Sequence, residues 1–223
     1  MTVISKSLQN AVVKRAANLG ITGTPNAASH DLGLIKLGDK KEVRAHVIHA
    51  VDPIITDGKH VVLIDRKNPP GKGKPALPGG FIDPTSGGGV ESATQAAVRE
   101  ALEEVGVKLK GGTLIGQRNM NRPYDIRVAK CDLPQYGIKK DDIFMVSTQA
   151  VRFDVPDLVA ARFVAGDDAK SGSARAVPVS ELTREAMGIP DHYDMITHAI
   201  ADLEGTHRPL NTIASEKPTR KFF

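Results

Sequence analysis

Residues 91–107, ESATQAAVREALEEVGV, hold the densest set of side chains able to do chemistry. At 100° per helical residue, Glu100, Glu103 and Glu104 fall within about one third of a circumference. Three carboxylates on one turn repel one another by roughly a few tenths of a kcal/mol per pair. A cation between them turns that cost into a binding site. Hard divalent ions take oxygen ligands and keep several waters, which leaves positions for substrate phosphates. A bare E-x-x-E-E is more often a solvated acidic face, so the flanking residues decide.

The carboxylates need a helix to hold them, and the spacing predicts one over 92–105. Ser92 and Gln95 form a capping box, and Gly106 stands where a left-handed C-terminal cap belongs. Val98, Ala101, Leu102 and Val105 recur at i, i+3, i+4 and i+7 and make the expected buried face, with the carboxylates opposite. An earlier helix is expected over 5–19, with Leu8, Val12, Ala16 and Leu19 as its stripe, Ser5 as its cap and Gly20 after its end. Strands are expected at 34–37 and 43–50 around a polar turn, and at 47–51 and 61–64 around Thr56-Asp57-Gly58-Lys59, whose Asp-Gly step signals a hairpin. Residues 66–80, crowded with Pro, Gly and Lys, read as a surface loop. Further strands near 113–118, 127–131, 144–153 and 174–177 precede a closing helix at about 191–204. Mixed strands around two principal helices predict an α/β (α+β) sandwich in one domain.

Leu77-Pro78-Gly79-Gly80-Phe81 ahead of the helix, and Arg99-Glu100-Ala101-Leu102-Glu103-Glu104-Val105-Gly106-Val107 at its end, resemble the Nudix signature. That signature runs glycine, glutamate, seven residues, then R-E-U-x-E-E-x-G-U with U aliphatic. Glu91 lies eight positions before Arg99, as the pattern asks. Gly80 and Glu91 enclose ten residues where the family has five, and the extra length around Gly87-Gly88-Gly89 reads as a longer loop before an intact helix. The resemblance covers roughly 45–203. It implies an α/β/α sandwich with a mixed central sheet, and Glu100, Glu103 and Glu104 as ligands of Mg2+ or Mn2+. It also implies that the Gly79 carbonyl completes the shell and that Arg99 orients the carboxylates by pairing with Glu91 or Glu103. The implied reaction is attack of a metal-activated water on one phosphorus of a pyrophosphate, with Glu103, Glu104 and Arg99 in the catalytic set.

Arg66-Lys67-Asn68-Pro69-Pro70-Gly71-Lys72-Gly73, Gly166-Asp167-Asp168-Ala169 and Asp191-His192-Tyr193 are similar to the ADP-ribose-hydrolysing branch associated with NAD metabolism. Pro123 stands where ADP-ribose hydrolases carry a marker proline. Tyr124 stands where dinucleoside polyphosphate hydrolases carry a tyrosine, so the two markers compete and the longer segments favour ADP-ribose. A ligand-sensing regulator of NAD genes is the reading from another class; such regulators add a winged helix, and some 19 residues after the last expected helix are too few for one. Arg66, Lys72, Arg122 and Arg127 are the expected phosphate contacts. Phe81, Tyr124 and Tyr193 are the candidates for stacking on a base in a chain without Trp. A general base is expected at Asp167 or Asp168, with Glu181 and Glu185 as fallbacks on the next helix; His192 is given no catalytic part.

The net charge of +4 is concentrated at the ends. Residues 1–45 hold seven Lys/Arg against three Asp/Glu, and 205–223 hold four against one. Basic ends of this kind are commonly solvated, and nucleic acid is not an expected partner. The domain reading is an extension at 1–45, a hydrolase domain at 46–204 and a basic tail at 205–223. By analogy with ADP-ribose hydrolases the extension is a homodimerisation element. The single cysteine, Cys131, excludes an intrachain disulfide framework and points to a reducing compartment, the cytoplasm. No run of 18 apolar residues offers a membrane span.

Overall fold

The computed structural model describes residues 5–21, 26–37, 41–117, 126–164, 166 and 172–203. The elements in chain order are α1 (Lys6–Asn18), β1 (Ser29–Leu37), β2 (Lys41–Thr56), β3 (His60–Asp65), β4 (Pro75–Ala76), β5 (Gly80–Phe81), α2 (Ala93–Val105), β6 (Thr113–Gln117), β7 (Ile126–Val128), β8 (Ile143–Asp154), β9 (Arg175–Pro178) and α3 (Pro190–Leu203). Short 3-10 turns at Pro134–Tyr136, Leu158–Ala160 and Val179–Glu181 complete them.

The spine of the sheet is β2, whose 16 residues join stretches that the sequence suggests as separate strands. It runs parallel to β8 in one register from Ala45↔Ile143 to Thr56↔Asp154. The other described pairings are antiparallel, giving a mixed sheet of order β4-β3-β2-β8-β6 with β1 and β5 also on β2, β7 on β8 and β9 on β3. Strands covered on both faces read as continuous apolar runs, and β8 is buried along all but its last residue. Pro53 lies between the β5 pairing at Val51 and the β3 pairing at Thr56, where β2 is paired with β8 alone. A proline costs the ladder least in such a stretch.

Alternation along β2 builds the layers, because successive side chains leave opposite faces. Ala45 and Val47, with Met145, receive Leu8, Val12 and Ala16 of α1. Val51 and Ile55, with Val151 and Phe153, receive Ala93, Ala96, Ala97, Ala101 and Val105 of α2. Ile54, with Leu63 and Ala150, receives Met195, Ile196 and Ala199 of α3. The result is the α/β/α sandwich the sequence predicts. The Thr56–Lys59 turn also forms as expected: Gly58 has φ +86°, and one Asp57 carboxylate oxygen accepts from the Lys59 and His60 amides at 2.8 and 2.6 Å. The segment after β9 departs from expectation. Glu181 ends a 3-10 turn and Glu185 lies in an irregular link, so neither is on a helix, and both are exposed.

One sheet residue carries a pH dependence. His49 on β2 is 1% exposed, and among the described residues neither ring nitrogen has a hydrogen-bond partner; the ring lies edge-on to His30 at 5.1 Å between centroids. Burial, then the nearby His30, lowers its pKa from 6.5 to about 4. The unfolded chain therefore binds the extra proton first, so stability falls as pH drops from about 6.5 and the loss is complete near pH 4. We expect a decline of up to about 3 kcal/mol from this residue, read from urea midpoints across that range. A His49→Gln variant with an unchanged pH slope removes the assignment.

Candidate functional site

The structure builds α2 as its sequence predicts at both ends. The Ser92 hydroxyl accepts from the Gln95 amide, the Gln95 side chain returns the bond to the Ser92 amide at 2.9 Å, and Gly106 takes the left-handed conformation at φ +70°. The burial of its faces differs from expectation. Leu102 is 51% exposed, whereas Glu100 and Glu104 are 7% and 5% exposed. Besides the sheet, α2 has a second neighbour, the turn Leu77-Pro78-Gly79-Gly80, which covers the carboxylate side.

Only glycine permits that approach. A Cβ on Gly80 would stand 2.3 Å from Glu100 Oε1. Gly79 has φ +154°, and a Cβ there would stand 2.4 Å from both Asp52 Oδ1 and the Val51 carbonyl. The Gly79 amide donates to Glu104 Oε2 at 2.7 Å. The two glycines are therefore held against carboxylates from β2 and α2.

Arg99 organises the remaining acids. Its Nε and Nη2 donate to the two Glu91 oxygens at 3.0 Å each, and Nη1 donates to Glu100 at 2.6 Å and to Glu103 at 3.0 Å. Nη2 also donates to the Phe81 carbonyl at 2.8 Å and lies 3.6 Å from Asp83. The sequence offers Glu91 or Glu103 as its partner; the guanidinium takes both. The Glu91 hydrogen bond, partly opposed by burial, raises Arg99 above its ordinary pKa. Burial is the largest single influence on Glu91 and opposes its ionisation, but the Arg99 hydrogen bond, the bond from the Asp83 amide and the Arg99 charge together hold that carboxyl below its usual range. At Glu100 burial wins: its pKa is pushed up to about 7, with Arg99 pulling it down and Glu103 and Asp83 adding to the rise.

These residues open onto a cavity of about 460 Å³. Glu100, Glu103, Glu104 and Asp83 line it, and Arg66 and Arg127 are also in its wall. Phe81 lines it too, edge-on to Tyr136 at 5.5 Å and to Phe144 at 6.4 Å between centroids. Among the sequence-predicted residues, the structure thus brings together Gly79, Phe81, Arg66, Arg99, Glu100, Glu103, Glu104 and Arg127. Lys72 is exposed on the loop and is not in the wall, and Tyr193 packs with the α3 core. Arg122, Tyr124, Asp167 and Asp168 lie outside the described residues; Gly166, just before the aspartates, donates its amide to the Glu104 carbonyl at 2.8 Å.

Four titratable wall residues escape sequence reasoning as site members: Asp52, Asp83, Tyr136 and His192. Tyr136 donates to Asp83 at 2.7 Å, and burial followed by that bond raises its phenol well above the ordinary value. Asp52, a carboxylate inside the apolar run of β2, is the one with a sequence signal, because an acid buried mid-strand needs a reason.

The donor chemistry fits a divalent cation. Glu100, Glu103 and Glu104 offer oxygen ligands beside the paired glycines Gly79 and Gly80, and burial raises Glu100 above its normal range despite the neighbouring Arg99. Among the described residues no three His, Cys, Asp or Glu side chains already form a metal cage. Arg99, bonded to both Glu100 and Glu103, occupies part of their coordinating capacity.

A family model described as NUDIX domain matches residues 47–199, and the chain belongs to that family. A curated relative, an ADP-ribose pyrophosphatase of Methanocaldococcus jannaschii, is 42% identical over 85 residues, which span 37% of this chain and 47% of that protein. The chain thus spans about half the length of the curated relative it matches. Among solved structures, a bifunctional NMN adenylyltransferase/ADP ribose pyrophosphatase of Francisella tularensis, complexed with AMP and a Mn ion, is 22% identical, covering 89% of this chain and 48% of that one at a TM-score of 0.44. The NUDIX domain of Shewanella oneidensis NrtR, complexed with ADP ribose, is 20% identical, covering 70% and 87% at a TM-score of 0.44. No helix among the described residues is long and apolar enough to cross a membrane.

Proposed function

We propose that this chain is a metal-dependent hydrolase of nucleoside diphosphate derivatives and that ADP-ribose, cleaved to AMP and ribose 5-phosphate, is its substrate. The observation that carries this is the cavity itself, whose wall holds both the α2 carboxylates and Arg66 and Arg127. A pyrophosphate needs both, cationic donors for its oxygens and carboxylates to hold the metal. The partial identity to the Methanocaldococcus jannaschii ADP-ribose pyrophosphatase supports the choice of substrate.

When bound, Mg2+ or Mn2+ supplies Lewis acidity toward a phosphoryl oxygen and a water acidic enough to attack phosphorus. Glu100, Glu103 and Glu104 are the residues that would hold it, with the Gly79 carbonyl as a further oxygen donor. Arg99 keeps Glu100 and Glu103 aimed together, and the Gly79 amide fixes the rotamer of Glu104. Arg66 and Arg127 orient the phosphates, and Phe81 offers a ring to the apolar part of the substrate. Asp167 or Asp168 is the proposed base, in the segment that follows the anchored Gly166.

The test is a panel of ADP-ribose, diadenosine polyphosphates, NADH and nucleoside triphosphates with Mg2+ or Mn2+. Release of AMP and ribose 5-phosphate from ADP-ribose at the highest kcat/KM is expected. Faster turnover of a diadenosine polyphosphate replaces the substrate. Tight ADP-ribose binding with no hydrolysis of any compound replaces the enzyme with a sensor.

A further inference from the structure

We infer that His192 is a positioning residue for the glycine turn that carries the proposed metal site, acting through Leu77 and Asp52; the inference rests on the hydrolase reading above. His192 is 1% exposed in the first turn of α3. Its Nδ1 accepts from the Leu77 amide at 2.8 Å. A ring nitrogen that accepts from an N–H carries no proton, so the proton is on Nε2. That nitrogen faces Asp52 Oδ2 at 3.3 Å. The imidazole is thus fixed in one tautomer between a backbone amide and a carboxylate.

Both partners bear on the same turn. Leu77 is two residues before Gly79, and the other Asp52 oxygen lies against Gly79 so closely that a Cβ would meet it at 2.4 Å. From the opposite side Glu104 accepts the Gly79 amide. A continuous series of contacts therefore joins α3 to α2 through the turn: His192, then Leu77 and Asp52, then Gly79, then Glu104. The start of α3 is itself anchored there. The Gly188 amide donates to the Pro75 carbonyl at 2.8 Å, and Arg184 pairs with Asp194 and, at 3.3 Å, with Asp191. A residue without an acceptor at 192 would leave the buried Leu77 amide unpaired, which a buried N–H resists. It would also free the turn to shift relative to Glu104. Residues that orient metal ligands in this indirect way typically matter by about ten- to a hundredfold.

Three readouts on the full chain test this: exchange of the Leu77 amide with deuterium, Mn2+ affinity without substrate, and kcat separated from KM. In H192A we expect at least about tenfold faster Leu77 exchange, Mn2+ binding weaker by about tenfold or more, and kcat lowered by a similar factor with little change in KM. H192N places an amide oxygen where Nδ1 stood and should restore Leu77 protection and most of the Mn2+ affinity. H192Q reaches toward Asp52 but offers no acceptor at the Leu77 position, so it should behave as H192A does and substitutes for it if H192A does not fold. A folded H192A, or in its place H192Q, with Leu77 exchange and Mn2+ affinity within twofold of the wild type overturns the inference. A wild-type chain that binds no Mn2+ and hydrolyses nothing overturns the hydrolase reading, and this inference with it. Wild-type binding and turnover, matched by the variants, overturn the inference alone.

Discussion

Glu104→Gln is expected to lower kcat by about 10² to 10³-fold, the scale on which loss of a central electrostatic group acts in a water-poor site, while the fold survives. The geometry explains both halves of the result. Glu104 is 5% exposed and accepts the Gly79 amide at 2.7 Å. A glutamine oxygen can accept the same bond at the same place, so the stability change should stay within about 1 kcal/mol. What the substitution removes is the negative charge, and with it a strong oxygen ligand for a hard cation. Mn2+ titration and steady-state kinetics on one preparation, with thermal unfolding as control, measure all three quantities. A Glu104→Gln protein with wild-type turnover removes Glu104 from the metal site.

The second large effect is expected for Arg99→Met, and it falls on stability first. The guanidinium touches Glu91 through two bonds, Glu100, Glu103 and the Phe81 carbonyl. Its removal leaves Glu91 and Glu100, with side chains 19% and 9% exposed, facing other carboxylates without a counter-charge. Breaking a fully buried pair costs about 3–5 kcal/mol. Arg99 itself is 26% exposed, so solvent screening reduces the expected loss to roughly 2–3 kcal/mol. Mg2+ should return part of that loss, because a cation held by Glu100 and Glu103 replaces some of the missing charge and stabilises the native state by mass action. Arg99→Lys should fall between, since it keeps the charge and loses the fork. Guanidinium midpoints with and without Mg2+ provide the measurement. An Arg99→Met loss below about 0.5 kcal/mol, with no Mg2+ effect, contradicts the network's proposed role.

The carboxylate helix divides cleanly into what was legible in the chain and what was not. Ser92, Gln95 and Gly106 set its ends through bonds that close within a few residues, so the sequence determined them without help. The spacing of Arg99, Glu100, Glu103 and Glu104 likewise follows from helix geometry alone. Which of its faces meets solvent does not. Helix periodicity assigns Leu102 to the core, yet the turn at Gly79-Gly80 packs against the carboxylates and leaves Leu102 51% exposed. Likewise the alternation of the strands announces a sandwich, but not that residues 41–56 form one strand or that β2 runs parallel to β8.

The same division holds across the site. Arg66, Phe81 and Arg127 could be singled out by residue type and their place near a motif, and the structure puts all three in the cavity wall. Asp52 and His192 could not be paired from the sequence. They lie far apart in the chain, and His192 reaches Leu77 across 115 residues. Tyr136 meets Asp83 across 53. Such contacts exist only after the β2–β8 register fixes the sheet and α3 docks on its far face. The sequence by itself therefore determined the carboxylate helix, its caps and the glycine turn, because their geometry is set by bonds a few residues long. The tertiary structure decided which acids are buried and which wall faces them, together with the histidine that locks the turn, because those depend on the packing of three separate layers.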